Sequence, residues 1–233
     1  MKTFVTPRIP IFITVRGNNE EIIKCNKEAL KYSYILIKEM NLFNQTFIIS
    51  DNKCILEYSK ELGFINTIYQ QCNCANDIIY LDYIGIYNFY KETGYKPDWM
   101  ILLSVGQLFK NKFLIYDCIR NIDDSYDVIA SFTEISNRSS YFIKNDKIVS
   151  YGHLVSNERD RQKMIDSAIY AIKTDFAIKC MESNLDPSAV FWSGNIKYFE
   201  NSSVYTDIVN LKDIQKYEYV GDIINDVREI KES

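Results

Sequence analysis

Short runs of β-favouring apolar residues alternate along this chain with longer stretches whose apolar residues recur at helical spacing. Parallel strands cannot be joined by tight turns. They need long crossovers, usually helices, so this alternation predicts an open, mostly parallel α/β sheet with helices on both faces. Ile9 to Val15 reads as a buried first strand. Residues 20–40 then read as a helix, with Ala29, Leu30, Ser33, Ile37 and Met40 on one face. Strands are expected at Gln45–Ile49, Phe64–Tyr69, Asp98–Ser104, Asp127–Thr133 and Ala168–Ile172. Helices are expected at Lys53–Leu62, Asp77–Thr93, Phe113–Ile122, Asp175–Met181 and Asn210–Tyr217. Gly63 and Gly94 stand where helices stop.

The rhythm breaks at about residues 134–165. Tyr141–Ile143 and Lys147–Tyr151 flank Asn145-Asp146 and read as a hairpin. A charged stretch, Asn157 to Lys163, follows. This region reads as an insertion into one domain spanning 1–233, not as a second domain. The hairpin carries Tyr141, Phe142, Ile143, Ile148, Val149 and Tyr151, more apolar groups than a solvated hairpin keeps. A homodimer built on it is therefore expected, packing onto its own sheet being the other possibility.

Composition excludes several function classes. The chain has 27 Lys plus Arg against 31 Asp plus Glu, a formal net charge of −4, so a nucleic-acid backbone partner is not expected. No apolar run approaches the roughly 20 residues of a membrane span, and residues 1–10 show no signal core. No membrane partner and a cytoplasmic location are expected. The six cysteines include only one close pair, Cys72 and Cys74, and the single histidine is His153. A zinc centre or a nucleophile–histidine dyad has too few partners.

In an open parallel sheet, ligands bind beyond the carboxyl ends of the strands. Arg16–Asn26, Ser50–Asn52, Ser104–Lys110 and the loop before Asp207 fall there. Free amides at a strand-to-helix turn suit phosphate, and Arg16 can add a bidentate, charge-assisted contact. Asn18, Asn19, Glu20 and Glu21 equally fit an ordinary turn. Asp207 and Asp213 are candidate ligands for a hard cation bridging phosphates; they also fit a turn and a solvated helix.

Taken in order, these segments resemble the CMP-sialic acid synthetase (acylneuraminate cytidylyltransferase) family over nearly the whole chain. The family's R-G-G-S-K-G…K-N loop is similar to Arg16–Asn26, and its V-S-T-D-S segment to Ile48–Asn52. Its L-A-x-D element is similar to Cys74–Asp77, and its L-Q-P-T-S-P-L-R to Leu102–Phe109. Its R-Q-D and N-G-A-I-Y-I-F-K segments resemble Arg161–Lys163 and Asp166–Lys173, and its D-I-D-x-x-x-D close resembles Asp207–Asp213. The resemblance implies a nucleotide-binding, Rossmann-like fold in which the hairpin serves dimer contact and sugar binding. It implies attack of an acidic sugar's hydroxyl on the α-phosphate of CTP, with Mg²⁺ bound, releasing pyrophosphate. The product would be a nucleotide sugar of the kind used for surface polysaccharide. Carried over residue by residue, it places Arg16 and Asp207 in catalysis. Nucleotide binding falls to Arg16, Gly17, Asn18, Lys24, Asn26 and Asp77. Acceptor binding falls to Ser104, Gln107, Arg161 and Gln162, and a weakly held, nucleotide-dependent Mg²⁺ to Asp207 and Asp213.

The pattern is degenerate at several positions. Loop lysines of the family become Glu20 and Cys25, its cytosine-reading glutamine is Leu103, and its base-side arginine aligns with Gln70. The middle carboxylate of D-I-D is Val209. Three functions follow: a transferase of this type, a relative with changed nucleotide or acceptor, and a non-catalytic binding or scaffolding homologue. Only 8 glycines, about half the usual share, favour the last.

Overall fold

The computed structural model describes residues 9–71, 78–135, 141–144, 147–150, 162–183, 187–201, 212 and 214–215. In chain order the elements are β1 (Ile11–Val15), α1 (Glu20–Glu39), β2 (Thr46–Ser50), α2 (Lys53–Leu62), β3 (Asn66–Tyr69), α3 (Ile78–Thr93), β4 (Trp99–Leu103) and α4 (Lys112–Arg120). There follow β5 (Val128–Ile135), β6 (Tyr141–Lys144), β7 (Lys147–Ser150), β8 (Gln162–Lys173), α5 (Thr174–Glu182), α6 (Pro187–Trp192) and β9 (Ile196–Glu200).

Seven strands form one sheet in the order β3-β2-β1-β4-β8-β5-β9. β1 runs parallel to β2 and β4, β2 to β3, and β5 to β9. β8 is antiparallel to both β4 and β5. β6 and β7 pair antiparallel as a separate ladder inside the predicted insertion.

Strand period two explains why β1 is buried along its whole length. Ile11, Ile13 and Val15 pack with Ala29, Leu30 and Ile37 of α1, Ile55 of α2 and Leu114 and Ile115 of α4. Phe12 points to the other face, into a core with Phe47, Phe89 of α3, Phe176 of α5 and Phe191 of α6. Phe12 and Phe47 stack at 5.3 Å between centroids, and Phe89 meets Phe47 edge-on at 4.8 Å. Three helices open on asparagine caps: Asn19, Asn52 and Asn111 accept from backbone N–H groups of the first turns of α1, α2 and α4. α2 ends at Gly63, whose φ of 109° suits glycine. Among the described residues no helix is long and apolar enough to cross a membrane.

The fold class is as the sequence predicts, with differences on the C-terminal side. The predicted strand Ala168–Ile172 is the end of a longer strand, Gln162–Lys173, and it runs antiparallel. α6 and β9 are additional elements. Of the predicted helix Asn210–Tyr217, Lys212, Ile214 and Gln215 are described, and they are helical.

Candidate functional site

The carboxyl ends of β1 and β2 are joined by side chains rather than by backbone alone. Ser50 Oγ donates to the Val15 carbonyl at 2.6 Å and accepts from the Asn52 N–H at 3.1 Å. Asp51 then takes both of the next two residues of the first loop. Its Oδ2 accepts from Arg16 Nε at 3.1 Å and its Oδ1 from the Gly17 N–H at 2.8 Å. Asn52 Nδ2 donates to the Gly17 carbonyl at 2.9 Å, and Asn26 Nδ2 to the Arg16 carbonyl at 2.7 Å. The approach is so close that a Cβ on Gly17 would stand 2.4 Å from Asn52 Cβ. The side chains of Arg16 and Asp51 are 12% and 9% exposed, so the pair is only thinly screened by water.

Arg16, Gly17 and Asn26 are thus brought together at the carboxyl end of β1. Asn18 is exposed at the rim beside them, and Lys24 is exposed on α1. Glu20 and Glu21 occupy the first turn of α1, where they complement its positive end. Asp51 and Asn52 lie in the Ser50–Asn52 segment that the sequence places at the strand ends, but the sequence assigns neither of them a role of its own. The available signal was their position directly after a buried strand.

Further along the same edge, the β4–α4 loop folds over a buried cation. Lys110 Nζ donates to the Ser104 carbonyl at 2.8 Å and also to the Gln107 carbonyl. Burial lowers the Lys110 pKa to about 7. The Ser104 N–H donates to the Ala168 carbonyl of β8 at 3.0 Å. Gln107 is buried, and its amide reaches the Asp166 carbonyl at 3.5 Å. Leu103, which stands where the resembled family reads cytosine, is 2% exposed and packs in the core. Gln70, aligned with the base-side arginine, accepts from Asn88 Nδ2 and donates through Nε2 to the Gln71 carbonyl at 2.9 Å.

Gln162 opens β8 opposite Ile135. Asp77, Arg161, Asp207 and Asp213 lie outside the described residues, as do Cys72, Cys74 and Val209. Among the described residues no group of three or more His, Cys, Asp or Glu side chains could hold a metal ion.

No family model matches the chain, and no curated protein does so. Solved structures do. CMP:2-keto-3-deoxy-manno-octonic acid synthetase complexed with CTP superposes with a TM-score of 0.66 at 11% identity, covering 93% of this chain and 99% of that one. A putative glucose-1-phosphate thymidylyltransferase from Bacillus anthracis, in complex with a sucrose, gives 0.60 at 14% identity, with 91% and 94% covered. The 4-diphosphocytidyl-2C-methyl-D-erythritol synthase of Anaerococcus prevotii gives 0.57 at 14%, with 88% and 94% covered. Sheet order, helix placement and these superpositions together give the chain the α/β fold that those nucleotidyltransferases share.

Proposed function

We propose that the protein is a cytidylyltransferase that transfers CMP from CTP to a hydroxyl of an acidic sugar of the sialic acid class. The observation that carries this reading is the Arg16–Gly17 loop, fixed by Asp51 at the carboxyl end of β1 in a nucleotidyltransferase fold. Such a loop presents a guanidinium held in a set plane beside the start of α1, where a triphosphate's charge would be met.

The acceptor oxygen attacks the α-phosphorus, the bond from that phosphorus to the bridging oxygen breaks, and pyrophosphate leaves. The acceptor's proton passes to solvent. Placement of the two reactants and neutralisation of phosphate charge would supply most of the rate. Mg²⁺ bound with the nucleotide, a homodimer formed through the β6–β7 hairpin and a cytoplasmic location belong to the same reading.

A second reading has its own support. Leu103 is sealed in the core and Glu20 places an anion beside the phosphate loop. Both fit a homologue that binds or scaffolds without transferring CMP, or one with a changed nucleotide or acceptor. Thermal unfolding with CTP, UTP and Mg²⁺, followed by a pyrophosphate-release assay with sialic acid, separates them. Stabilisation by CTP with release supports the transferase. Stabilisation without release favours a changed acceptor, and no shift with any nucleotide favours the scaffold. A saturating ligand at a hundred times its dissociation constant adds about 2.7 kcal/mol, well within reach of the method. Converting Glu20→Lys and Val209→Asp together restores the resembled pattern, and under the transferase reading it raises pyrophosphate release at least tenfold.

A further inference from the structure

Asp166 is a carboxylate at 3% exposure, buried in the sheet beside the β4–α4 loop. Four donors converge on it. Thr133 Oγ1 donates to its Oδ2 at 2.7 Å and Asn201 Nδ2 to the same oxygen at 2.8 Å. The Ala168 N–H donates to its Oδ1 at 3.0 Å, and Ser131 Oγ donates there too. These donors come from β5, from β8 itself and from the residue that follows β9. Through its backbone carbonyl Asp166 also takes the Gln107 amide of the β4–α4 loop.

The backbone is bent to make this possible. Between the pairs Ala130–Tyr170 and Phe132–Ile165, the single residue Ser131 faces Asp166, Ser167, Ala168 and Ile169. Ser167 sits in the left-handed region with φ 53°. A bulge of this kind re-aims a side chain, and a non-glycine left-handed residue is strained. Desolvating a carboxylate costs several kcal/mol, so an apolar residue would fill the position more cheaply if filling were all that mattered.

We propose that Asp166 is a positioning residue. It locks the β4–α4 loop, the base of the β5–β8 excursion and the end of β9 into one geometry, and so sets where the acceptor lies. The locking stands on the contacts above; the acceptor's part rests on the transferase reading. Strand spacing of about 4.8 Å puts this cluster on the order of 10 Å along the sheet from the end of β1, across β4. That separation leaves the phosphate loop, held by Asp51, outside the cluster's control.

The test is Asp166→Asn, which puts an amide where donors arrive. Hydrogen exchange is expected to quicken at least tenfold across residues 104–110, 131–135 and 162–169, with residues 16–22 and 50–54 unchanged. The exchanged pair Asp166→Asn/Asn201→Asp, which reverses one donor and its acceptor, is expected to recover much of the protection. KM for sialic acid is expected to rise at least tenfold while KM for CTP stays within twofold. Should Asp166→Asn fail to fold, Thr133→Val removes one donor, keeps the carboxylate and should give the same pattern more weakly. Exchange that quickens uniformly over both regions, or not at all, overturns the positioning role. Equal rises in both KM values overturn the acceptor assignment. A wild type that releases no pyrophosphate overturns the transferase reading and the acceptor half with it; the exchange pattern then decides the positioning role alone.

Discussion

Arg16 and Asp51 meet through Nε and Oδ2 at 3.1 Å, joining the loops that leave two neighbouring parallel strands. The same carboxylate holds the Gly17 N–H, so its loss frees two groups at once. Asp51→Asn keeps the shape and removes the charge. It should lower stability by about 1.5–3 kcal/mol, the range for charge-assisted hydrogen bonds, as read by denaturant unfolding. Arg16→Ala should weaken CTP binding by a similar amount. CTP binding indifferent to both changes would remove this loop from the mechanism.

Gly17 is required by contact rather than by backbone angle. Gly17→Ala drives a methyl into Asn52 Cβ and to 2.9 Å from Ile55 Cδ1. The two loops must then separate, at a cost of about 1–3 kcal/mol by analogy with overpacked cores. A lowered denaturation midpoint together with weaker CTP binding is expected. An unchanged midpoint would mean that the loops shift freely.

Lys110 gives stability a distinctive pH dependence. Burial lowers its pKa to about 7, whereas an exposed lysine titrates near 10.4. Between those values the unfolded chain binds more protons than the native one, so the lysine makes stability rise with pH from about 7 to about 10. Cys118, whose thiol is pushed up by burial, acts in the opposite sense above its usual range. The difference between wild type and Lys110→Met isolates the lysine. Unfolding at pH 7 and pH 9.5 should show the variant gaining most at pH 7, by an amount on the order of a few kcal/mol. A gain independent of pH would refute the buried-cation account.

The β6–β7 ladder should be an interface. Its two strands pair over only four residues each, and an isolated two-stranded hairpin is marginal in water. Light scattering is expected to show a dimer at micromolar concentration. The double change Ile143→Asp with Val149→Asp should give a folded monomer. A wild-type monomer at high micromolar concentration would end this expectation.

Most of the fold was legible because its signals are local. β1, β2 and β4 are short, mostly apolar runs, and α1, α2 and α4 have asparagine caps and helical apolar spacing. β8 was half hidden because its first residues, Gln162 to Ser167, are mostly polar, do not alternate and carry the irregular pairing with β5. α6 has six residues and β9 has five with Lys197 and Glu200 among them, too short for periodicity to speak. The position of the Arg16–Gly17 loop at the end of a strand is legible locally, but its fixing by Asp51 is not, because the two segments meet only through parallel pairing of β1 and β2. Asp166 could not be assigned its role, since Ser131, Thr133 and Asn201 reach it only through the sheet. Lys110 ends the Ser104–Lys110 segment in the sequence, and its burial under the Ser104 and Gln107 carbonyls shows only once the loop is folded.

The reversed direction of β8 also orders the assembly of the protein in time. β4 gains its neighbour on that side only when Ile169 to Lys173 arrive, some seventy residues after Trp99 to Leu103 have been made. On the ribosome, strands β1 to β4 can register early while one flank of β4 stays bare. Synthesis of β8 then does two things in a single stroke: it seals that flank and recruits β5, with β9 to follow. A chain stalled before residue 162 would expose a strand edge that invites pairing with another nascent copy.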